Sequence, residues 1–136
     1  MIKSIAHVCI GATDLAATER FYCAALGFKK HFDFIRAGKL IGFYLEVAPN
    51  SYVEVFQDDA VDPNAKAPIR HICFQVDDVD AFIRRLKAQG CQVSDKKMGG
   101  DNSWQSWVTD PAGVRIEFHQ YTPESCQFTK KNCILG

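Results

Sequence analysis

The sequence predicts an α+β fold built from two tandem βαβββ modules with mixed sheets. Two observations predict it. The chain repeats itself at an offset of 64 residues: Ile5, His7, Cys9, Asp14, Ala17, Arg20 and Ala24 meet Ile69, His71, Cys73, Asp78, Ala81, Arg84 and Ala88. Within each half, the apolar pattern then reads as a strand, a helix and three strands. After a one-residue slip Gly27 meets Gly90, the offset becomes 63, and Glu54 meets Glu117. The reading is one domain over residues 1–136, with a first module at about 4–57, a linker at 58–68, a second module at about 69–121 and a tail at 122–136.

The elements follow in order. Ile2 to Ile10 is β-rich and apolar, and alternation puts Ile5, His7 and Cys9 on one face. Asp14 is placed to cap a helix with the stripe Leu15, Thr18, Tyr22, Ala25 and Leu26, and Gly27 stops it. Strands are expected at 28–34, 40–47 and 52–57. The second half copies this order. A strand at 69–76 carries His71 and Cys73 on one face, and Asp78 caps a helix with the stripe Val79, Phe82, Ile83 and Leu86. Gly90 ends that helix, a short strand is expected at 91–94, and Gly99 to Asn102 form a loop. Strands at 104–109 and 114–121 are joined by the turn Asp110-Pro111-Ala112-Gly113.

Composition narrows the function classes. Of 136 residues 47% are hydrophobic, including ten Phe, enough to bury a core. The 16 basic and 16 acidic residues balance, and the basic pairs are scattered, so neither nucleic acid nor an anionic membrane is expected as a partner. No charged leader precedes the first apolar stretch, and no apolar run has membrane-spanning length, so the expectation is a cytoplasmic protein. The six cysteines form no CxxC pair; Cys9 and Cys73 read as small buried hydrophobes, and Cys126 and Cys133 as tail thiols.

The chemistry is carried by the repeated polar residues. His7 and His71 each sit in an apolar strand, and Glu54 and Glu117 in the strands Tyr-Val-Glu-Val-Phe and Val-Arg-Ile-Glu-Phe. Burying a carboxylate is costly unless it is paired, protonated or bound to a metal. Two carboxylates at matched positions, each with a matched histidine, suit a divalent transition metal completed by water. His31 has no partner at the repeat offset and reads as a surface residue; His119 shares a face with Glu117 and reads as an outer partner of that carboxylate or as surface. Trp104 and Trp107 are candidate walls of a substrate pocket, with Gly99-Gly100 as its cover.

The sequence resembles the vicinal oxygen chelate superfamily, and within it glyoxalase I (lactoylglutathione lyase), over nearly the whole chain as far as Glu124. The carriers are Ile5-Ala6-His7-Val8, Phe21-Tyr22 ahead of Leu26-Gly27-Phe28, Val53-Glu54-Val55-Phe56, Ile69-Arg70-His71-Ile72, and Asp110-Pro111-Ala112-Gly113-Val114-Arg115-Ile116-Glu117. The resemblance implies a cupped sheet around one divalent ion (nickel, cobalt or zinc) held by His7, Glu54, His71 and Glu117. It implies a small-molecule substrate and a homodimer; in many such enzymes each site is built from two chains, so that His7 and Glu54 join His71 and Glu117 of the partner subunit, the alternative being a site within one chain. The implied reaction is a proton shift, through an enediolate, on the hemithioacetal of a 2-oxoaldehyde and a thiol, with Glu117 or Glu54 as the general base.

Two positions depart from the glutathione-dependent members. Those usually carry Arg four residues after the first His ligand, where this chain has Gly11, and Asn four residues after the first Glu ligand, where it has Asp58. Related enzymes of the superfamily imply other ligand sets: three ligands on iron in extradiol dioxygenases, two His and one Glu in fosfomycin-resistance enzymes, and Gln at the position of Glu54 in methylmalonyl-CoA epimerases. A further alternative is a drug-sequestering protein of the bleomycin-resistance type, its groove lined by Trp104, Trp107, Phe43 and Tyr52.

Overall fold

The computed structural model describes residues 5–65, 67 and 69–135. Positions 2–4 of the expected first strand, 66 and 68 of the linker and the last residue of the tail lie outside the described residues. The chain divides into two compact units, Met1–Ala65 with Asp110–Val114, and Lys66–Thr109 with Arg115–Gly136. The division after Ala65 falls inside the segment 58–68.

The first unit holds strands β1 (His7–Ala12), β2 (Lys29–Arg36), β3 (Lys39–Ala48) and β4 (Ser51–Gln57) in the order β1-β4-β3-β2. β1 runs parallel to β4, and the other pairs are antiparallel. This is the mixed sheet the pattern predicts. Alternation divides its faces. Ile10, Ala12, Phe43, Leu45, Val53 and Val55 are buried on one. His7, Cys9, Tyr44, Tyr52 and Glu54 share the other, through the register pairs His7–Tyr52, Cys9–Glu54 and Tyr44–Glu54.

Between β1 and β2, Asp14 caps helix α1 (Leu15–Glu19) by accepting the Ala17 N–H at 2.9 Å. The helix then widens into a π-helical segment, Arg20–Ala25, with the Leu26 N–H donating to the Phe21 carbonyl five residues back. A π-helical turn absorbs one extra residue. That is the physical form of the one-residue slip between the repeats, and it lies where the offset changes. Gly27, at φ 83°, then ends the segment in the left-handed region. Thr18, Phe21, Tyr22, Ala25 and Leu26 are buried.

The Asp110-to-Gly113 turn belongs to this unit. Asp110 is buried, and its carboxylate accepts three hydrogen bonds: from the Tyr22 hydroxyl at 2.8 Å, the Ala112 N–H at 2.9 Å and the Val114 N–H at 2.8 Å. Gly113 has φ 94°, and a Cβ there would collide with Pro63, so only glycine fits.

The second unit repeats the arrangement. β5 (Ile72–Gln75), β6 (Lys97–Met98), β7 (Trp104–Thr109) and β8 (Arg115–Gln120) take the order β5-β8-β7-β6, with β5 parallel to β8. Helix α2 (Val79–Ala88) is capped by Asp78, which accepts the Ala81 N–H at 3.0 Å, and buries Val79, Ile83 and Leu86. Each such side chain contributes roughly 1.5–3 kcal/mol of burial. The strand expected at 91–94 reduces to a single bridge, Val93 to Val108, because the Ser94 hydroxyl takes the Trp107 N–H at 2.8 Å and replaces a ladder partner. Pairing resumes at β6. The tail forms a short helix, α3 (Cys126–Thr129). Among the described residues no helix is long and apolar enough to cross a membrane.

Candidate metal centre

In the first unit, His7 projects from β1 and Glu54 from β4, on the face opposite the apolar core. His7 Nε2 lies 4.0 Å from Glu54 Oε2. The other imidazole nitrogen, Nδ1, is 3.2 Å from the Tyr44 hydroxyl. A ligating histidine is ordinarily oriented by a partner on its second nitrogen, and Tyr44 occupies that position. Sequence reasoning missed Tyr44; its signal is the hairpin register that sets it opposite Glu54.

In the second unit, His71 Nε2 lies 3.1 Å from Glu117 Oε2, and the Trp107 ring packs edge-on against His71 with centroids 5.0 Å apart. Glu117 is 6% exposed, which makes a paired or ligating role necessary for a charged carboxylate. Its other oxygen, Oε1, is 2.8 Å from His119 Nε2. The second of the two readings of His119, a surface residue, is therefore set aside: its side chain is 12% exposed and bonded to Glu117.

Cys9 and Cys73 correct the sequence reading. Neither is buried in the core. They are the ladder partners of Glu54 and Glu117, on the faces that carry the histidines. The reason is period-two alternation, which sends residues two apart to the same side. Burial of the thiol and then the Glu117 charge push Cys73 up to about 12, although the residue keeps an exposed edge. Cys9 is shifted upward for the same reasons, with Glu54 as the neighbour. Cys73, Glu117 and His119 also place donor atoms within 4.8 Å of one another.

The two tryptophans separate. Trp107 is paired with Glu117 across β7 and β8 and shares its face; the Arg115 guanidinium lies over its ring at 4.6 Å. Trp104 is paired with Gln120, whose side chain accepts the Val79 N–H at the start of α2, so Trp104 is on the opposite face, with Lys96 over its ring at 4.4 Å. Three residues apart in a strand is an odd step, and alternation forbids a shared face. Phe43 is fully buried and lines no groove, whereas Tyr52 shares the face of His7 and Glu54. The Gly99-Gly100 loop is tied down: the Gly99 N–H donates to Ser103, and the Cys126 N–H of the tail donates to the Asp101 carbonyl at 2.8 Å.

The donor set fits a divalent ion. Two ligands at about 2.1 Å in neighbouring positions of an octahedral ion stand roughly 3.0 Å apart. The 3.1 Å between His71 and Glu117 meets that spacing, while the 4.0 Å pair of His7 and Glu54 stands wider and has to close to meet it. Imidazole nitrogen and carboxylate oxygen together suit a divalent transition metal.

The two positions at which the chain departs from glutathione-dependent relatives are neighbours in space. A Cβ on Gly11 would stand 2.7 Å from Val61 Cγ2 and 3.2 Å from the Asp58 Cβ. A longer side chain at Gly11 thus meets the space that Val61 and Asp58 fill.

Comparison with known proteins agrees with this architecture. The Escherichia coli (strain K12) protein YaeR is 25% identical over 126 residues, spanning 88% of this chain and 97% of that protein. The crystal structure of a glyoxalase family protein from Enterococcus faecalis is 27% identical, with TM-score 0.74 over 86% of this chain and 97% of that one. A lactoylglutathione lyase from Agrobacterium tumefaciens shares the fold, with TM-score 0.66 at 22% identity over 88% of this chain and 94% of that one. The profile of the Glyoxalase/Bleomycin resistance protein/Dioxygenase superfamily matches residues 4–118, and with two βαβββ units, each holding a His–Glu pair on its sheet face, the chain belongs to that superfamily.

Proposed function

We propose that this protein is a metal-dependent lyase or isomerase of the glyoxalase I type, moving a proton on the hemithioacetal of a 2-oxoaldehyde. The observation that carries the reading is the matched pair of histidine and glutamate in each unit, at 4.0 Å and 3.1 Å. A divalent ion, when bound, supplies the Lewis acidity that makes negative charge on two adjacent substrate oxygens less costly. His7, Glu54, His71 and Glu117 are the residues that hold it.

The chain's own groups carry the proton. One carboxylate, Glu117 or Glu54, accepts the proton as the substrate C–H bond breaks and returns it to the neighbouring carbon, while the hydroxyl proton passes from the oxygen of the first carbon to that of the second. The net change is an isomerisation of the hemithioacetal to a thioester, so no oxidant or reductant is needed. Trp107, on the Glu117 face, is the proposed pocket wall; Trp104, on the other face, is not.

The thiol is proposed to be other than glutathione. Asp58 repels a carboxylate, and the space beside Gly11 leaves no place for an arginine that would attract one. The test is turnover of methylglyoxal hemithioacetals made with glutathione, with an uncharged thiol and with a cationic thiol, by protein stripped of metal and reloaded with nickel, cobalt or zinc. Metal-dependent turnover, fastest with the uncharged or cationic thiol, is the expected result. Turnover that needs no metal contradicts the mechanism, and a preference for glutathione contradicts the role of Asp58.

One observation favours a second reading. Phe32 stacks on Tyr44 with ring centroids 4.7 Å apart, and Tyr44 lies 5.1 Å from Tyr52, beside His7 and Glu54. An aromatic face of this kind also suits a protein that sequesters a flat ligand without chemistry. Tight binding of planar aromatic compounds by a protein that takes up no metal would select it.

A further inference from the structure

The two glutamates are matched in sequence but not in surroundings. At the repeat offset of 63, the residue two places after Glu54 is Phe56, and the residue two places after Glu117 is His119. Phe56 stacks on Phe34, with centroids 4.6 Å apart. His119 instead turns its imidazole to Glu117, with Nε2 at 2.8 Å from Oε1. A carboxylate can only accept, so His119 donates, and the bond requires the proton on Nε2.

On its far side His119 meets an anchored charge. Asp101 Oδ2 lies 4.0 Å from His119 Nδ1. The same carboxylate accepts the Gln127 amide of α3 at 2.6 Å and the Ser103 N–H at 3.1 Å. Burial works against the charged form of Asp101, but the bonds from Gln127 and Ser103 outweigh it and hold the group below its ordinary value. A further bond, between the Ser103 and Ser125 hydroxyls at 2.9 Å, fastens the tail to the same loop. The tail, the Asp101 loop, His119 and Glu117 thus form one connected chain within the second unit.

We propose that His119 is a positioning residue: it holds Glu117 Oε1, is braced by Asp101 and the C-terminal segment, and so presents only Oε2 toward the position beside His71 Nε2. Glu54 has a phenylalanine where this brace would stand. The inference rests on the metal reading given above, and it adds that the two glutamate ligands are unequal, one braced by a histidine and the other not. Outer partners of metal ligands are typically worth about 10–100-fold in affinity.

The test is Co2+ binding, by competition with a chelating dye and by the visible absorption of the bound ion. His119→Phe copies the residue of the other repeat and removes the donor; it is expected to weaken Co2+ binding about 10–100-fold and to shift the absorption bands. His119→Gln, which keeps an N–H donor, is expected to lose less than the roughly 10-fold that marks loss of an outer partner. Wild-type affinity and an unchanged spectrum in His119→Phe overturn the proposal, as does His119→Gln binding as weakly as His119→Phe. Should His119→Phe fail to fold, Asp101→Asn reads the same brace: weakened Co2+ binding supports it and wild-type affinity overturns it. Wild-type protein that takes up no Co2+ removes the metal reading and this inference together, whereas normal wild-type uptake with an indifferent His119→Phe removes this inference alone.

Discussion

Glu117→Gln is expected to weaken divalent-metal binding by about 100-fold and to take the proposed proton shift below detection, with the fold retained. A factor of 100 corresponds to about 2.7 kcal/mol, a scale suited to the loss of one anionic ligand. Gln preserves the size of a residue that is 6% exposed, so packing changes little. The charge and one acceptor oxygen are lost between two imidazoles, His71 at 3.1 Å and His119 at 2.8 Å. Chelator competition gives the affinity, and circular dichroism with thermal melting gives the fold. Unchanged affinity in a folded variant would remove Glu117 from the ligand set.

The second large effect is on stability. Asp110→Ala leaves the Tyr22 hydroxyl and the Ala112 and Val114 amides without their acceptor, and is expected to cost about 4 kcal/mol. Asp110→Asn keeps an acceptor for the two amides and a donor for the Tyr22 oxygen, so it costs far less. It also isolates a pH effect. Burial, the largest influence, raises Asp110 above its ordinary value of 3.8, although the bonds it accepts pull the other way. A carboxyl raised on folding binds its proton more tightly in the native state. Its contribution is therefore fully present below the unfolded value and is lost as pH rises through the folded one. Urea unfolding from pH 3 upward should show wild type losing stability relative to Asp110→Asn across that window. A difference that is flat with pH, or of opposite slope, would contradict the account.

Much of the fold is legible because the determining interactions are local. Asp14 and Asp78 accept amides three residues on, and Gly27 and Gly90 sit at φ 83° and 78°, where a Cβ is disfavoured. The slip between the repeats is legible too, as an extra residue taken up by the π-helical segment Arg20–Ala25. Other features depend on partners far along the chain. The failure of a strand at 91–94 is decided by the Ser94 hydroxyl bonding to Trp107, thirteen residues away. Tyr44 reaches His7 only through the register of β3 on β4 and β4 on β1. The bond from His119 to Glu117 is two residues long and its shared face was legible, but the Asp101 brace depends on the loop and the tail. Cys9, Cys73 and Trp104 are different: strict alternation from His7, His71 and Trp107 assigns each to its face. Their hydrophobic character points the other way, and in these strands the period prevails over composition.

The proposed ligands of the divalent ion are nitrogen and oxygen donors, the imidazoles of His7 and His71 and the carboxylates of Glu54 and Glu117. X-ray absorption at the metal edge, on protein loaded with one equivalent of nickel or cobalt per chain, reads that donor set. The expected shell holds nitrogen and oxygen only, at about 2.0–2.2 Å, with the multiple scattering of two imidazoles that falls to one in His71→Ala. A sulfur scatterer at about 2.3 Å would contradict it, by moving the ion onto Cys9 or Cys73 beside the carboxylates.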